Sequence, residues 1–175
     1  MGAFAVLAGG MYLMEHVPIC ACGYIKLWHG VVFSSENSQH LSDWYSFSHI
    51  IHGFIFYWLA WLLFPRSPVL FRLLLAISVE TAWELFENSD FIINRYREVT
   101  ISLDYYGDSI INSVMDTLFA LFGFLIAWRA SIVLTVGLLL AMEAFTGYMI
   151  RDNLLLNIIM LVHPFDFILN WQSMT

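Results

Sequence analysis

The sequence predicts an all-α fold: a polytopic transmembrane helical bundle of five to six spans with a structured outer loop, forming a single integral-membrane domain over residues 1–175. Three observations carry this. Of the residues, 60% are hydrophobic and only 12% charged, whereas a soluble domain has about 25% charged residues to cover its water-facing surface. Mean hydropathy is +0.73. Apolar stretches recur at about the 20 residues that a helix needs to cross hydrocarbon.

The first span covers about residues 2–17. No basic segment or cleavage site marks the apolar run Met1 to Met14 as a leader, so it is read as kept. It is short, and the native start could lie upstream. The second span, 45–64, is closed by Pro65-Arg66-Ser67-Pro68, and the third is 69–88. Ser89 to Tyr106 is polar and reads as a loop, with an extended stretch at Glu98 to Leu103. Gly107 opens the fourth span, 107–128, and the fifth is 131–150. Residues 154–171 are apolar but interrupted by Asn157, His163, Pro164 and Asp166. They read as either a kinked sixth span or a helix lying at the interface. Trp28, Trp44, Trp58, Trp61, Trp128 and Trp171 suit headgroup belts, while Trp83 sits beside Glu84 and could wall a pocket.

Basic residues in short loops set orientation. Arg66, Arg72 and Arg129 place two turns in the cytoplasm, against the opposing vote of Arg95, Arg97 and Arg151. The polar residues then face outward. A formal net charge of −7, without a basic run, excludes a nucleic-acid partner. The lipid bilayer is the partner that composition implies.

Charges inside the apolar segments are the functional signal, because ionisable groups in hydrocarbon are expensive. Glu80, Glu84 and Glu87 share one face of the third span, His49 and His52 lie one turn apart on the second, and Asp108, Asn112 and Asp116 follow one another on the fourth. Glu80, His52 and Asp116 each sit about two turns, roughly 12 Å, from the outer ends of their helices. Glu143 lies two turns below Arg151 on the fifth span, and His40 and Asp43 just precede the second. Together these predict one outward pocket containing six acids. Such acids must be protonated or accompanied by a cation. His49, His52, Glu80, Glu84, Glu87 and Asp116 are therefore candidate ligands for a divalent metal, with zinc, iron or manganese suiting imidazole and carboxylate. His49, His52, Glu84, Asn112 and Asp116 are candidate catalytic groups, and His40, Asp43, Asp108, Glu143 and Arg151 would support them. The plain alternative is a hydrogen-bonded network that fixes helix packing.

Two smaller features have simpler readings. Cys20 and Cys22, with His29 and His40, could make a soft-metal or redox site, but the spacing fits no zinc pattern. A bridge between residues two apart would be strained, so the cysteines read as small residues packed in an ordered loop. Asp108 also suits a helix N-terminus after Gly107.

At several of these residues the chain resembles a known family. Cys-Gly-Tyr-Ile-Lys-Leu-Trp-His-Gly (22–30), Asn-Ser-Gln-His-Leu-Ser-Asp-Trp-Tyr (37–45) and Ser-His-Ile-Ile-His-Gly (48–53) match it. So do Glu-Asn-Ser (87–89), Arg-Tyr-Arg-Glu (95–98), residues 101–113 and Ile-Arg-Asp-Asn-Leu (150–154). The family is uncharacterised protein family 0314, also called domain of unknown function 2585, of alphaproteobacterial multi-pass membrane proteins. The resemblance covers the chain from Pro18 onward and implies the bacterial inner membrane, with the pocket facing the periplasm. More distantly, the order of spans is similar to VanZ-like and YjdF-like membrane proteins, which implies an envelope or lipid-linked substrate.

Three functions remain open on the sequence. The first is an intramembrane enzyme acting on a lipid or lipid-linked envelope substrate, with a divalent metal as its cofactor. The second is a non-catalytic accessory or assembly subunit of a membrane protein complex. The third, an ion- or proton-coupled carrier, lacks the internal repeat common among carriers.

Overall fold

The computed structural model describes residues 2–173, which are all-helical and contain no strand. Among these residues the helices are α1 (Gly2–Leu13), α2 (Ser46–Leu63), α3 (Val69–Glu87), α4 (Asp90–Val99), α5 (Ile110–Arg129), α6 (Ile132–Ile150), α7 (Leu154–Val162) and α8 (Asp166–Gln172). Three of them, α2, α5 and α6, are long and apolar enough to cross a membrane. That is fewer than the five to six spans expected. With 12 residues, α1 extends only about 18 Å. α3 has 19 residues but carries Arg72 and three glutamates. The stretch expected as a sixth span or interfacial helix is broken at His163 and Pro164 into α7 and α8, of 9 and 7 residues.

The distribution of side chains is inverted relative to a water-soluble protein. Leu62, Leu63, Leu70, Leu74, Val133 and Leu140 are exposed, while Glu80, Glu84, Asn112, Ser113 and Thr117 are buried. Apolar outside and polar inside is the arrangement that a hydrocarbon solvent selects.

Helix ends follow local chemistry. Ser109 caps α5 by accepting from the Asn112 amide, Ser131 caps α6 through Leu134, and Asn153 caps α7 through Leu156. Beyond α2 the prolines stop the chain, and Arg72 donates to the Phe64 and Pro65 carbonyls. The segment expected as a loop between the third and fourth spans contains α4. Its Ile92, Ile93, Tyr96 and Val99 are buried at helical spacing. Asp90 in the first turn and Arg97 in the last complement the helix dipole.

At the centre, α5 packs on α1, α2 and α3. Its contact with α2 is the closest. A Cβ on Gly53 would run into the backbone of Ala120, Gly123 and Phe124, and one on Gly123 into the backbone of Ile50. Opposed glycines of this kind let membrane helices meet backbone to backbone. α6 stands at the edge, touching the N-terminal end of α2 through Phe145, which meets Trp44 and Phe47. The long segment 14–45, the α3–α5 connection and the α6–α8 region meet at one end of the bundle. There His16 contacts Asn88 and Asp108, Ser38 accepts from the Ser109 amide, and Arg95 donates to Leu161. Arg66 and Arg129 mark the opposite end.

Candidate functional site

The glycine contact on α2 and α5 brings His49 between two walls of carboxylates. Its Nδ1 lies 2.7 Å from Glu80 Oε1 and 3.3 Å from Glu84 Oε1, and its Nε2 lies 3.8 Å from Asp116 Oδ2. His52, one turn on, places Nδ1 3.1 Å from Glu80 Oε2. Trp83 meets the edge of the His52 ring at a centroid distance of 6.0 Å, so it walls the histidines. Glu80 and Glu84 are both 0% exposed.

The two glutamates differ in one respect. Both oxygens of Glu80 are engaged by imidazoles, whereas neither buried oxygen of Glu84 has a hydrogen-bond partner among the described residues. Each unmade bond at a buried polar atom costs on the order of 1–3 kcal/mol, and more for a charge. Asp116 has one neutral donor, Ser46 Oγ at 3.4 Å. Ser46 in turn accepts from the Asp43 amide. Asp43 is anchored by the amides of Ser38 and Tyr45, and burial pushes its carboxyl up to about 6 against the pull of those bonds.

Within this cluster two sets of side chains place potential ligand atoms within 4.8 Å of one another, His49, His52 and Glu80, and His49, Glu84 and Glu87; a third set, Cys20, Cys22, Glu36 and His40, lies in the 14–45 segment, where the two cysteines are bonded to each other. Five of the six predicted metal ligands thus fall in two groups that share His49. Asp116 approaches from the other ring nitrogen and belongs to neither group. Either set is large enough to hold one divalent ion with positions open for water. An imidazole with carboxylates at both nitrogens also suits proton transfer.

A second layer lies toward the loops. Asn88 joins α3 to α5 twice, its Oδ1 accepting from the Asp108 amide at 2.6 Å and its Nδ2 donating to Asp108 Oδ2 at 2.8 Å. Tyr105 donates to the other Asp108 oxygen and Tyr96 donates to Glu87. Asn112 donates to the His40 carbonyl at 2.8 Å, while its Oδ1 is buried without a partner among the described residues. A cavity of about 40 Å³ separates the layers, lined by His49, Glu87, Asp108, Asp116 and the three tyrosines Tyr45, Tyr96 and Tyr105, among others.

Not every residue predicted from sequence comes here. His40 presents its backbone to Asn112, but its ring turns to Glu36 Oε2 at 3.1 Å. Lys26, His40 and Tyr24 together hold the Glu36 carboxyl down at about 2. Glu143 accepts from the Leu154 and Leu155 amides at the start of α7. Arg151 donates to the Trp171 carbonyl. Cys20 and Cys22, read as separate small residues, are joined in a disulfide. Asn88, Tyr96 and Tyr105 were missed. Asn88 lies four residues after Glu84, so extending the glutamate stripe by one turn would have found it.

Comparison with known proteins adds identity without activity. No solved structure matches the chain. A family profile described as "Protein of unknown function (DUF2585)" matches residues 11–174. The chain is 61% identical over 162 residues to a UPF0314 protein of Rhizobium etli strain CIAT 652, covering 93% of this chain and 83% of that one. It is 57% identical over 173 residues to one of Rhizobium meliloti strain 1021 (99% and 88%), and 53% identical over 173 residues to one of Brucella anthropi (99% and 88%). With its apolar exterior and buried acids, the chain is a helical membrane protein that belongs to the DUF2585 family, the UPF0314 proteins.

Proposed function

We propose that the protein is a multi-pass enzyme of the bacterial inner membrane. Its outward-facing pocket holds a divalent metal and acts on a lipid or lipid-linked envelope substrate. One observation carries the reading: Glu84 is fully buried, has no hydrogen bond to either oxygen among the described residues, and meets His49 Nδ1, already engaged by Glu80, at 3.3 Å in a cluster with ligand spacing. A packing network satisfies its own members, as Glu80 does; a carboxylate left over is what a cation or a reacting proton requires. In this reading His49 with His52 and Glu80, or His49 with Glu84 and Glu87, would hold the metal, which would supply Lewis-acid polarisation of a bound oxygen. Asp116 accepts or supplies a proton across the His49 ring, and Asn112 positions the ligand. The inner membrane and the outward orientation rest on the resemblance to alphaproteobacterial proteins and on the Arg66, Arg72 and Arg129 end. The lipid-linked substrate rests on the membrane depth of the cluster and the distant VanZ-like similarity.

Elemental analysis of the purified protein tests the metal. Close to one or two divalent ions per chain is expected, lost in a Glu84→Gln, His52→Ala variant that still folds. A metal-free wild type, or a Glu84→Gln strain indistinguishable from its parent in envelope lipid composition, would sink the reading. An accessory-subunit role is favoured by α6, which apart from Glu143 carries no charge and buries little of its surface. Co-purification of a stoichiometric partner that Glu84→Gln leaves bound would support it.

A further inference from the structure

We propose that the cavity above the histidine–carboxylate cluster binds a primary ammonium group, the headgroup amine of the substrate. This rests on the reading of the protein as an enzyme for a lipid or lipid-linked molecule, and names the chemistry that molecule carries.

The lining shows an excess of acceptors. Glu87, Asp108 and Asp116 contribute carboxylates, and no lysine or arginine reaches the cavity among the described residues. The basic group present, His49, is already engaged by Glu80 at 2.7 Å. Tyr45, Tyr96 and Tyr105 each direct the hydroxyl proton to a carboxylate, of Asp152, Glu87 and Asp108 respectively. Only their oxygen lone pairs remain.

The asparagines sharpen this. Asn157 is 9% exposed, and its Nδ2 donates to Asp152 Oδ2 at 2.9 Å. That bond fixes which end of the amide is oxygen, and the oxygen has no partner among the described residues. Asn37, 8% exposed, likewise has a buried Oδ1 without one. Buried acceptors in native proteins are nearly always satisfied. A ligand that brings several donors and a positive charge would satisfy these acceptors and the carboxylates beside them.

Size selects among cations. About 40 Å³ holds roughly two or three waters, so an –NH₃⁺ group on a methylene stem fits. A trimethylammonium group, which favours open aromatic cages, is too large, and so is a divalent ion carrying a full shell of waters. The remainder of the headgroup has a place as well. A larger cavity of about 460 Å³ opens outward and shares Asn37, Ser102 and Tyr105 with the inner one. Its walls combine Phe33, Leu103 and Leu169 with the hydroxyl of Ser34 and the carboxylates of Glu98 and Asp104, which also favour a cationic tip. An amine-tipped chain entering by this route would stop with its nitrogen between Glu87 and Asn157, directly above His49.

The test titrates ethanolamine, choline and ethylene glycol into the purified full-length protein, with the heat of binding as readout. Ethanolamine should bind saturably, and choline (too bulky) and ethylene glycol (uncharged) at least tenfold more weakly. Glu87→Gln, which preserves shape, should weaken ethanolamine by roughly tenfold or more, the usual effect of losing a charged hydrogen bond. Asn157→Leu, which touches no proposed metal ligand, should weaken it in the same direction. Equal binding of ethylene glycol, equal binding of choline, or an ethanolamine affinity unchanged in both variants would each overturn the site. In bilayer discs, a melting temperature raised by phosphatidylethanolamine over phosphatidylglycerol assigns the amine to a lipid headgroup. No such difference, with ethanolamine still bound, assigns it to a free amine. Metal content measured on the same samples separates the two proposals. Ethanolamine binding without metal leaves the ammonium site standing and removes the metal; metal without ethanolamine binding does the reverse.

Discussion

His49 Nδ1 on α2 lies 2.7 Å from Glu80 Oε1 on α3, and both groups are buried in a bundle that no water-facing surface could satisfy. The pair joins two helices, and removing His49 leaves Glu80 with His52 as its one imidazole partner. Breaking a buried ion pair on one side typically costs about 3–5 kcal/mol. His49→Ala should reduce the unfolding free energy by that order. Glu80→Gln added to His49→Ala should cost less than the sum of the two single changes, because the second change removes a carboxylate that has already lost one of its two imidazole partners. A double-mutant cycle on detergent-solubilised protein measures this, and strict additivity would show that the pair is not coupled.

Gly53 and Gly123 set the α2–α5 distance on which the cluster depends. Alanine at either position drives a methyl into backbone, which cannot move aside as a side chain can. Overpacking of this sort costs about 1–3 kcal/mol, occasionally more. Gly123→Ala should therefore lower the melting temperature, separate His49 from Asp116 and, by shifting α2, weaken any metal held through His49, although no ligand is altered. Ala60→Gly, on α2 two turns beyond Gly53, is the control for backbone effects. A Gly123→Ala protein with wild-type stability and metal content would mean that the helices can separate without consequence for the site.

Much of this arrangement was legible in the sequence because helix periodicity carries it. Glu80, Glu84, His49, His52 and Asp116 could be brought together from spacing and depth alone, since each lies within an apolar run where a charge is conspicuous. The failures share a cause. His40, Glu143 and Arg151 stand at helix ends or in the connecting segment, where backbone groups compete for the same side chains and periodicity says nothing about direction. Glu143 illustrates it: its carboxylate lies about two turns from the end of α6, yet it turns to the free amides that open α7. The same limit hid α4. Its polar face made Ser89 to Tyr106 look like a loop, while the stripe of Ile92, Ile93, Tyr96 and Val99 was there to be read. Of the five to six spans expected, three are helices long and apolar enough to cross among the described residues, because hydropathy counts apolar residues and not unbroken helix. His163 and Pro164 divide the last apolar run into two pieces, each far shorter than a bilayer is thick.

Glu143 offers a clean separation of stability from function. By accepting from the Leu154 and Leu155 amides at 3.1 and 3.0 Å, it performs an N-terminal capping role from a neighbouring helix. Loss of a helix cap costs about 0.5–2 kcal/mol. Glu143→Ala should destabilise the protein by about 1 kcal/mol and leave metal content and ethanolamine affinity as in the wild type. A loss of metal in this variant, with α7 still ordered by hydrogen exchange, would place Glu143 within the pocket after all.

Asp152 gives the fold a pH dependence with a definite sign. It lies between α6 and α7, where burial pushes its carboxyl up to about 7 from an ordinary 3.8. Donors from Tyr45, the Asn153 amide and Gln172 pull the other way without cancelling burial. The folded chain therefore binds this proton more tightly than the unfolded chain does. Between about pH 4 and pH 7 the native state carries the extra proton, so stability falls as pH rises through that window and levels off above it. The slope from one such group is at most about 1.4 kcal/mol per pH unit. Other carboxylates titrate over the same range, so the informative quantity is the difference between wild type and Asp152→Asn. The variant loses an acceptor for part of the Tyr45, Asn157 and Gln172 set and should be less stable at pH 4.5, where the wild type is protonated and can donate as well as accept. On raising the pH to 7.5 the wild type should lose its Asp152 contribution while the variant has none to lose, and the two melting curves should converge. A difference that stays constant from pH 4.5 to 7.5 would mean that Asp152 is ionised throughout, and that the donors around it outweigh its burial.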